Sequence, residues 1–236
     1  MTGSPESTGT VLAVAPEGAS GSVAQFVQSA AGCARVGAAV VDLAPVPGIP
    51  LDELVSTVRE QTGLLVRVAA TESTTVPELL ACGAHALSCP LDAPPDFLRE
   101  LRAGAPDRGT AVHFEARTSA DLDVLREIPD PAHVILVFGP DDSGTVPAFA
   151  SAMELVPPGT GCTAAGVGPA GLPVLLTALA AGAHVRIGRS DTPDYAPGTP
   201  ARDDAQLVAR AAGVAKIAQR APLPPAQAAA VLGIKT

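Results

Sequence analysis

Hydrophobic residues along this chain fall into two alternating rhythms: short runs of branched side chains, and longer stretches whose apolar positions recur at helical spacing. The first pair predicts a strand over 10–15 and a helix over 22–36. Further strands are predicted over 38–43, 64–69, 84–89, 110–114, 133–138, 161–165 and 183–187. The intervening and following helices are predicted over 51–61, 74–82, 95–103, 119–128, 146–155, 170–181 and 202–220. Strands separated by helices pair in parallel through right-handed crossovers, and eight such units close into an α/β barrel of the (β/α)8 TIM type. An open doubly wound sheet is the alternative. It is disfavoured because no Gly-x-Gly-x-x-Gly follows the first strand, which runs instead into Pro16-Glu17-Gly18-Ala19-Ser20. The expected organisation is a compact barrel over 10–221, preceded by a disordered tail over 1–9 and followed by a C-terminal helical extension over 222–236. In that extension Pro224-Pro225 opens an Ala-rich stretch that would pack on the outside of the barrel or on a partner subunit.

Composition supports a single well-filled core. Of 236 residues, 47% are hydrophobic, 17% charged and 3% aromatic, with no Trp, so the interior must be built from small and branched side chains. The formal charge of −9 lacks the basic stripe that nucleic acid requires. No apolar run approaches the roughly 20 residues that span a bilayer. Residues 1–9 show neither the basic nor the apolar region of a signal peptide. Cys33, Cys82, Cys89 and Cys162 include no Cys-x-x-Cys pair and read as buried thiols of a reducing, cytoplasmic protein.

The most telling segment is Gly182-Ala183-His184-Val185-Arg186-Ile187-Gly188-Arg189-Ser190-Asp191, a buried strand that ends at Gly188 and then presents polar groups. A barrel strand delivers catalytic side chains to its C-terminal rim in this way. Two further blocks belong with it: Leu155-Val156-Pro157-Pro158-Gly159-Thr160 leading to Ala165-Gly166-Val167-Gly168-Pro169-Ala170, and Asp204-Ala205-Gln206-Leu207-Val208 with the closing Leu232-Gly233-Ile234. Together they resemble the β-keto acid cleavage family, whose founding activity is 3-keto-5-aminohexanoate cleavage.

The resemblance implies a (β/α)8 barrel with a divalent metal, usually zinc, held by His-x-His after the second strand and by a Glu after the eighth. Such a metal polarises a β-keto acid for carbon–carbon cleavage and condensation with acetyl-CoA. Laid onto this chain, the His-x-His positions fall on Asp42 and Ala44, and the Glu falls on Ser190. One carboxylate and one hydroxyl, on opposite sides of a barrel mouth, make a poor zinc set, so no metal cofactor is expected. The family's first-strand acidic position falls on Ser20, and its Ser/Thr-Gly-Gly loop is replaced by Ala69-Ala70-Thr71-Glu72. Arg186 and Asp191 are retained and resemble the family's substrate-handling pair, the arginine fixing the aspartate and the aspartate serving as base. The alternative is that they tie the eighth strand to its loop.

Other residues carry weaker signals. His113-Phe114-Glu115 ends the fifth strand, and alternation turns His113 and Glu115 to one face, where they would bind a relocated metal, with His85 and Asp42 as further candidates, or act as an acid/base pair, or stand as a rim histidine beside a solvated carboxylate. His85, His133 and His184 lie at strand starts and read as structural. Gly166 and Gly168 precede the seventh helix, where backbone amides would contact a phosphate or CoA, or simply form a tight turn. The segment Phe138-Gly139-Pro140-Asp141-Asp142-Ser143-Gly144 carries two aspartates that would repel a phosphate. Ser88, Cys89 and Cys162 read as buried and unreactive.

Two functions stand side by side. One is an enzyme acting on a small carboxylate or β-keto compound, with acetyl-CoA as the co-substrate that the resemblance implies, Arg186 and Asp191 catalytic, and Ser190, Asp42, His113, Glu115, Gly166 and Gly168 contacting substrate. The other is a metal-free ligand-binding or assembly protein on the same scaffold. A homo-oligomer is expected from the resemblance and the apolar tail.

Overall fold

A computed structural model describes residues 9–17, 22–139 and 144–235. Ser20, tail residues 1–8 and residues 140–143 of the loop after the sixth strand lie outside the described residues.

Eight strands form a closed parallel barrel in chain order. They are β1 (Leu12–Val14), β2 (Val40–Leu43), β3 (Leu65–Ala69), β4 (Ala86–Pro90), β5 (Ala111–Ala116), β6 (His133–Phe138), β7 (Gly161–Gly166) and β8 (His184–Ile187). Eight helices follow them in turn: α1 (Val23–Arg35), α2 (Leu51–Thr62), α3 (Val76–Ala81), α4 (Pro95–Gly104), α5 (Ser119–Glu127), α6 (Val146–Leu155), α7 (Gly171–Ala180) and α8 (Asp204–Ile217). Each strand is an apolar run because its outer face meets helices and its inner face meets the barrel interior. The helices bury one stripe, Phe26, Val27, Ala30 and Cys33 on α1 and Leu54, Val55 and Val58 on α2. Thr75 with Glu78 and Thr118 with Asp121 form capping boxes that start α3 and α5 directly beyond a strand's C-terminal end. The four cysteines are buried and free. Among the described residues no helix is long and apolar enough to cross a membrane.

Register sets which side chains meet inside the ring. Asp42 pairs with Arg67, Ser88 with His113, Pro90 with Glu115, and Ala13 with Arg186. The floor, at the N-terminal ends of the strands, is closed by α9 (Pro225–Val231). Ala228, Ala229, Leu232 and Ile234 pack there with Val11, Ala13, Val40, Leu65 and Ala86 from the strands. At the entry to this segment the Leu223 amide donates to the Thr10 carbonyl at 2.8 Å and the Thr10 amide donates to the Ala221 carbonyl at 3.0 Å. The apolar face of the extension is thus spent under its own barrel, and it does not call for a second copy to cover it.

One small element was not expected. β9 (Asp194–Ala196) and β10 (Thr199–Pro200) form an antiparallel hairpin between β8 and α8. Pro193, Pro197 and Pro200 break any strand-like run there, and the reversal turns on Gly198 at φ +72°.

Candidate active site at the barrel mouth

β8 runs so close to β1 at its end that a Cβ on Gly188 would lie 1.9 Å from the Ala15 carbonyl oxygen, so the position admits only glycine. Beyond it the amides of Asp191 and Thr192 both donate to the Gly188 carbonyl, at 3.2 and 2.8 Å, and the chain doubles back. This return lays Asp191 on the strand it has just left. Arg186 Nε donates to Asp191 Oδ2 and Nη2 to Oδ1, each at 3.0 Å, a two-pronged pair. A third donor, Nη1, meets Glu115 Oε1 at 3.1 Å, while Nε stands 3.9 Å from Asp42 Oδ2.

None of these four side chains is more than 10% exposed. Burial opposes the Arg186 charge, but Asp191, Glu115 and Asp42 together outweigh it and hold the guanidinium protonated beyond its ordinary range. For Asp191, burial is the larger influence and raises the carboxyl's pKa despite the Arg186 contact. A carboxylate so placed is a better proton acceptor than a solvated one.

Beneath this ring lies a second. Arg67, a lone charge in the middle of β3, is 1% exposed and grips Asp42 with Nε to Oδ1 at 2.8 Å and Nη2 to Oδ2 at 2.7 Å. Its Nη1 approaches His113 Nδ1 at 3.2 Å, and His113 Nε2 reaches the Leu232 carbonyl at 2.9 Å. Because a carbonyl only accepts, Nε2 carries the imidazole proton and Nδ1 accepts from Arg67. Burial, aided by Arg67, lowers the His113 pKa to about 3, so the ring is neutral. His133 lies beside it at 4.8 Å between centroids, with Nε2 2.8 Å from Thr163 Oγ1.

A mouth cavity of about 480 Å³ opens above, lined by Asp42, Glu115, Arg117, Arg186, Ser190 and Asp191 with an apolar wall from Phe26, Pro45 and Val46. Arg117 follows β5 and is half exposed, and its contact with Glu115 Oε2 is long, 3.4 Å. It also lines a neighbouring cavity of about 520 Å³ with Thr71, Thr74, Asp92 and Phe97.

Arg186, Asp191, Glu115, Asp42 and Ser190 therefore converge on one space, while His113 lies below it, enclosed between Arg67 and the floor. Asp42 and Ser190 do not face each other across the mouth as expected. β2 and β8 both pair with β1, so the two residues stand on the same side of the ring. Gly166 and Gly168 are not among the residues lining this cavity. The Gly168 amide donates to the Asp191 carbonyl at 2.9 Å, and Thr192 Oγ1 donates to the Gly166 carbonyl at 3.0 Å, so this turn braces the Asp191 loop. His85 Nδ1 accepts from the Val66 amide and His184 Nδ1 from the Val11 amide, both backbone ties near strand starts. Arg67 and Arg117 were missed in the sequence. The available signal for Arg67 was a single charge at an inward position of an otherwise apolar strand.

The sequence matches the family model described as beta-keto acid cleavage enzyme over residues 53–234. The chain belongs to this family. The match begins within α2, so Asp42 and Ala44 precede it. A comparison with curated proteins finds no match. Among solved structures, the barrel is similar to orotidine 5'-phosphate decarboxylase from Pyrococcus horikoshii OT3, at 15% identity over 85% of this chain and 98% of that one, with a TM-score of 0.62. It is also similar to KGPDC from Streptococcus mutans, at 13% identity over 87% of this chain and 97% of that one, TM-score 0.63. A native KDPGal structure aligns at 17% identity over 92% of this chain and 97% of that one, TM-score 0.61. These likenesses concern the fold.

Zinc, which the family resemblance implies, does not fit the residues at its expected place. Both Asp42 oxygens are engaged by Arg67, Ala44 has no donor atom, and Ser190 offers one exposed hydroxyl. No group of three or more His, Cys, Asp or Glu side chains able to hold a metal ion occurs among the described residues.

Proposed function

We propose that this member of the beta-keto acid cleavage enzyme family acts on a small carboxylate or β-keto compound at its barrel mouth, with Asp191 as the base. The observation carrying this reading is the convergence of Asp191, Arg186, Glu115 and Arg117 on one cavity of small-molecule size. The ligand carboxylate meets Arg117, whose guanidinium is half exposed and held only by a long contact. Arg186 fixes Asp191 by two hydrogen bonds and faces negative charge as it develops on the ligand. The adjoining cavity that Arg117 shares supports a second compartment for a co-substrate such as the acyl end of acetyl-CoA.

A second reading, binding without turnover, is supported by the fact that both Asp191 oxygens are engaged by Arg186. One experiment separates the two. Short β-keto acids are titrated into the protein by calorimetry, then incubated with and without acetyl-CoA while new CoA esters are followed by chromatography. Binding with product formation that Asp191→Asn lowers about a hundredfold or more supports the enzyme. Binding without product supports the alternative. No binding overturns the placement of the site.

A further inference from the structure

From residue 143 to residue 185 the chain carries one Asp, Glu, Lys or Arg side chain, that of Glu154. This stretch supplies α6, β7 and α7, so one flank of the barrel presents two neighbouring helices almost without charge, on a molecule whose formal charge is −9. α7 has no charged residue, and its apolar character continues beyond the buried stripe of Val174, Leu175, Ala178 and Leu179. Leu172 and Leu176, one turn apart on its outer side, are 42% and 48% exposed, and Val146 on the first turn of α6 is more exposed still. On the other side of α6 the wall is hollow. A groove of about 300 Å³ lies there, lined by Leu136 and Phe138 from β6, Leu122 from α5, and Ala148 and Ala152 from α6. It spans the end of β6 and the opening turns of α5 and α6, and Leu172 and Leu176 occupy the opening turns of α7, so knobs and groove stand at the same height, near the mouth.

An apolar ridge on one side of α6 and an apolar hollow on the other make this flank self-complementary. A two-fold axis parallel to the barrel axis and just outside α6 exchanges the two sides and keeps height, so it sets α7 of each copy against the groove of the other. We propose that this flank is the interface of a symmetric homodimer, in which Leu172 and Leu176 of each copy enter the α5–α6 groove of the second. A second copy is the partner the flank fits, because it brings knobs to the groove and a groove to the knobs in one contact. It also meets the first copy where two acidic molecules carry least charge to repel each other. A basic protein would be drawn to the charged faces instead, and an anionic membrane surface would need the Lys or Arg that this flank lacks. Glu154 lies about 12 Å along α6 from Val146, at the end away from the contact. Helices of ten residues are about 15 Å long, which makes the contact small and sets the expected association in the micromolar range. The inference concerns the outer wall and does not rest on the activity proposed for the mouth.

Sedimentation of the full-length protein across the micromolar range tests it. A monomer–dimer equilibrium is expected, weakened about a hundredfold or more by Leu172→Glu with Leu176→Glu. Ile217→Glu, at a position 82% exposed on the last turn of α8, leaves the equilibrium unchanged. Geometry is read separately by cross-linking, which also decides the matter if the two glutamates disturb folding. Ser119 lines the groove, and the four native cysteines are buried. A short bismaleimide added to a mixture of the single variants Ser119→Cys and Leu172→Cys should therefore join one of each, and should join neither variant to itself. A protein that sediments as a monomer throughout the range overturns the proposal. So does a dimer that survives the α7 substitutions, or one in which Leu172→Cys links to its own kind and not to Ser119→Cys.

Discussion

At the scale of single residues, the mouth divides its arginines by task. Arg186 commits its donors to Asp191 and Glu115 and Arg67 commits its own to Asp42, which leaves Arg117 as the guanidinium with the weakest protein contact in the cavity. Arg117→Ala is therefore expected to weaken binding of a small carboxylate by about ten- to a hundredfold with little change in Tm, as read by calorimetry and thermal unfolding. Equal affinity would place the anion elsewhere. Gly188 shows the opposite profile. A methyl group there would meet the Ala15 carbonyl oxygen at 1.9 Å, so Gly188→Ala must push β8 away from β1 and move the turn that returns Asp191 to Arg186. A loss of about 3 kcal/mol or more in urea unfolding is expected, together with loss of activity. Near-wild-type stability would show that the ends of the two strands separate freely.

At the scale of elements, α9 is the short helix that closes the barrel floor. Leu223, Ala228, Ala229, Leu232 and Ile234 are buried in the floor, and the Leu232 carbonyl is the partner of His113. Deleting residues 222–236 strips the apolar lining under β1 to β4 and leaves a buried imidazole N–H unpaired. A stability loss on the order of 5 kcal/mol or more is expected, with binding of an apolar dye. An unchanged unfolding transition would contradict the floor role. Most elements were legible in sequence because buried parallel strands are apolar runs and the helices repeat at helical spacing. His113 and Glu115 were correctly placed on one face by two-residue alternation. The Asp42–Arg67 clamp was not legible, because it depends on the register between two strands separated by a helix, which no local pattern encodes. The shared side of Asp42 and Ser190 was hidden for a related reason: barrel closure makes β8 a neighbour of β1. The β9–β10 hairpin escaped because its strands are too short and too proline-rich to alternate.

At the scale of the whole molecule, the interior is built around neutral imidazoles. His113, His133 and His184 stand within ring-contact distances of 4.8 and 6.1 Å along the chain of neighbours. Burial is the first cause lowering each pKa, to about 3 for His113, about 4 for His184 and well below the ordinary value for His133. Between pH 6.5, where an unfolded histidine titrates, and the depressed folded values, the unfolded chain binds more protons. Stability therefore falls as pH falls through this window, by roughly 1.4 kcal/mol per pH unit for each such histidine. Asp191 and Asp204, whose pKa values are raised by burial, work in the opposite direction as the pH falls through the carboxylate range. Urea unfolding repeated from pH 7.5 down to 4.5 should show a steep decline beginning near pH 6.5, shallower in His184→Gln. A flat profile down to pH 5 would mean that these rings protonate without cost.

The link from His113 to Leu232 also gives the molecule a schedule. Every strand and every residue of the mouth is synthesised before α9, so a nascent chain possesses Asp42, Arg67, Arg186 and Asp191 while the atom that orients His113 has yet to be made. Until residue 232 docks, nothing at the floor selects which ring nitrogen carries the proton. The orientation of His113 beneath the mouth is thus set from the opposite end of the barrel, by a segment that follows every barrel strand in the chain.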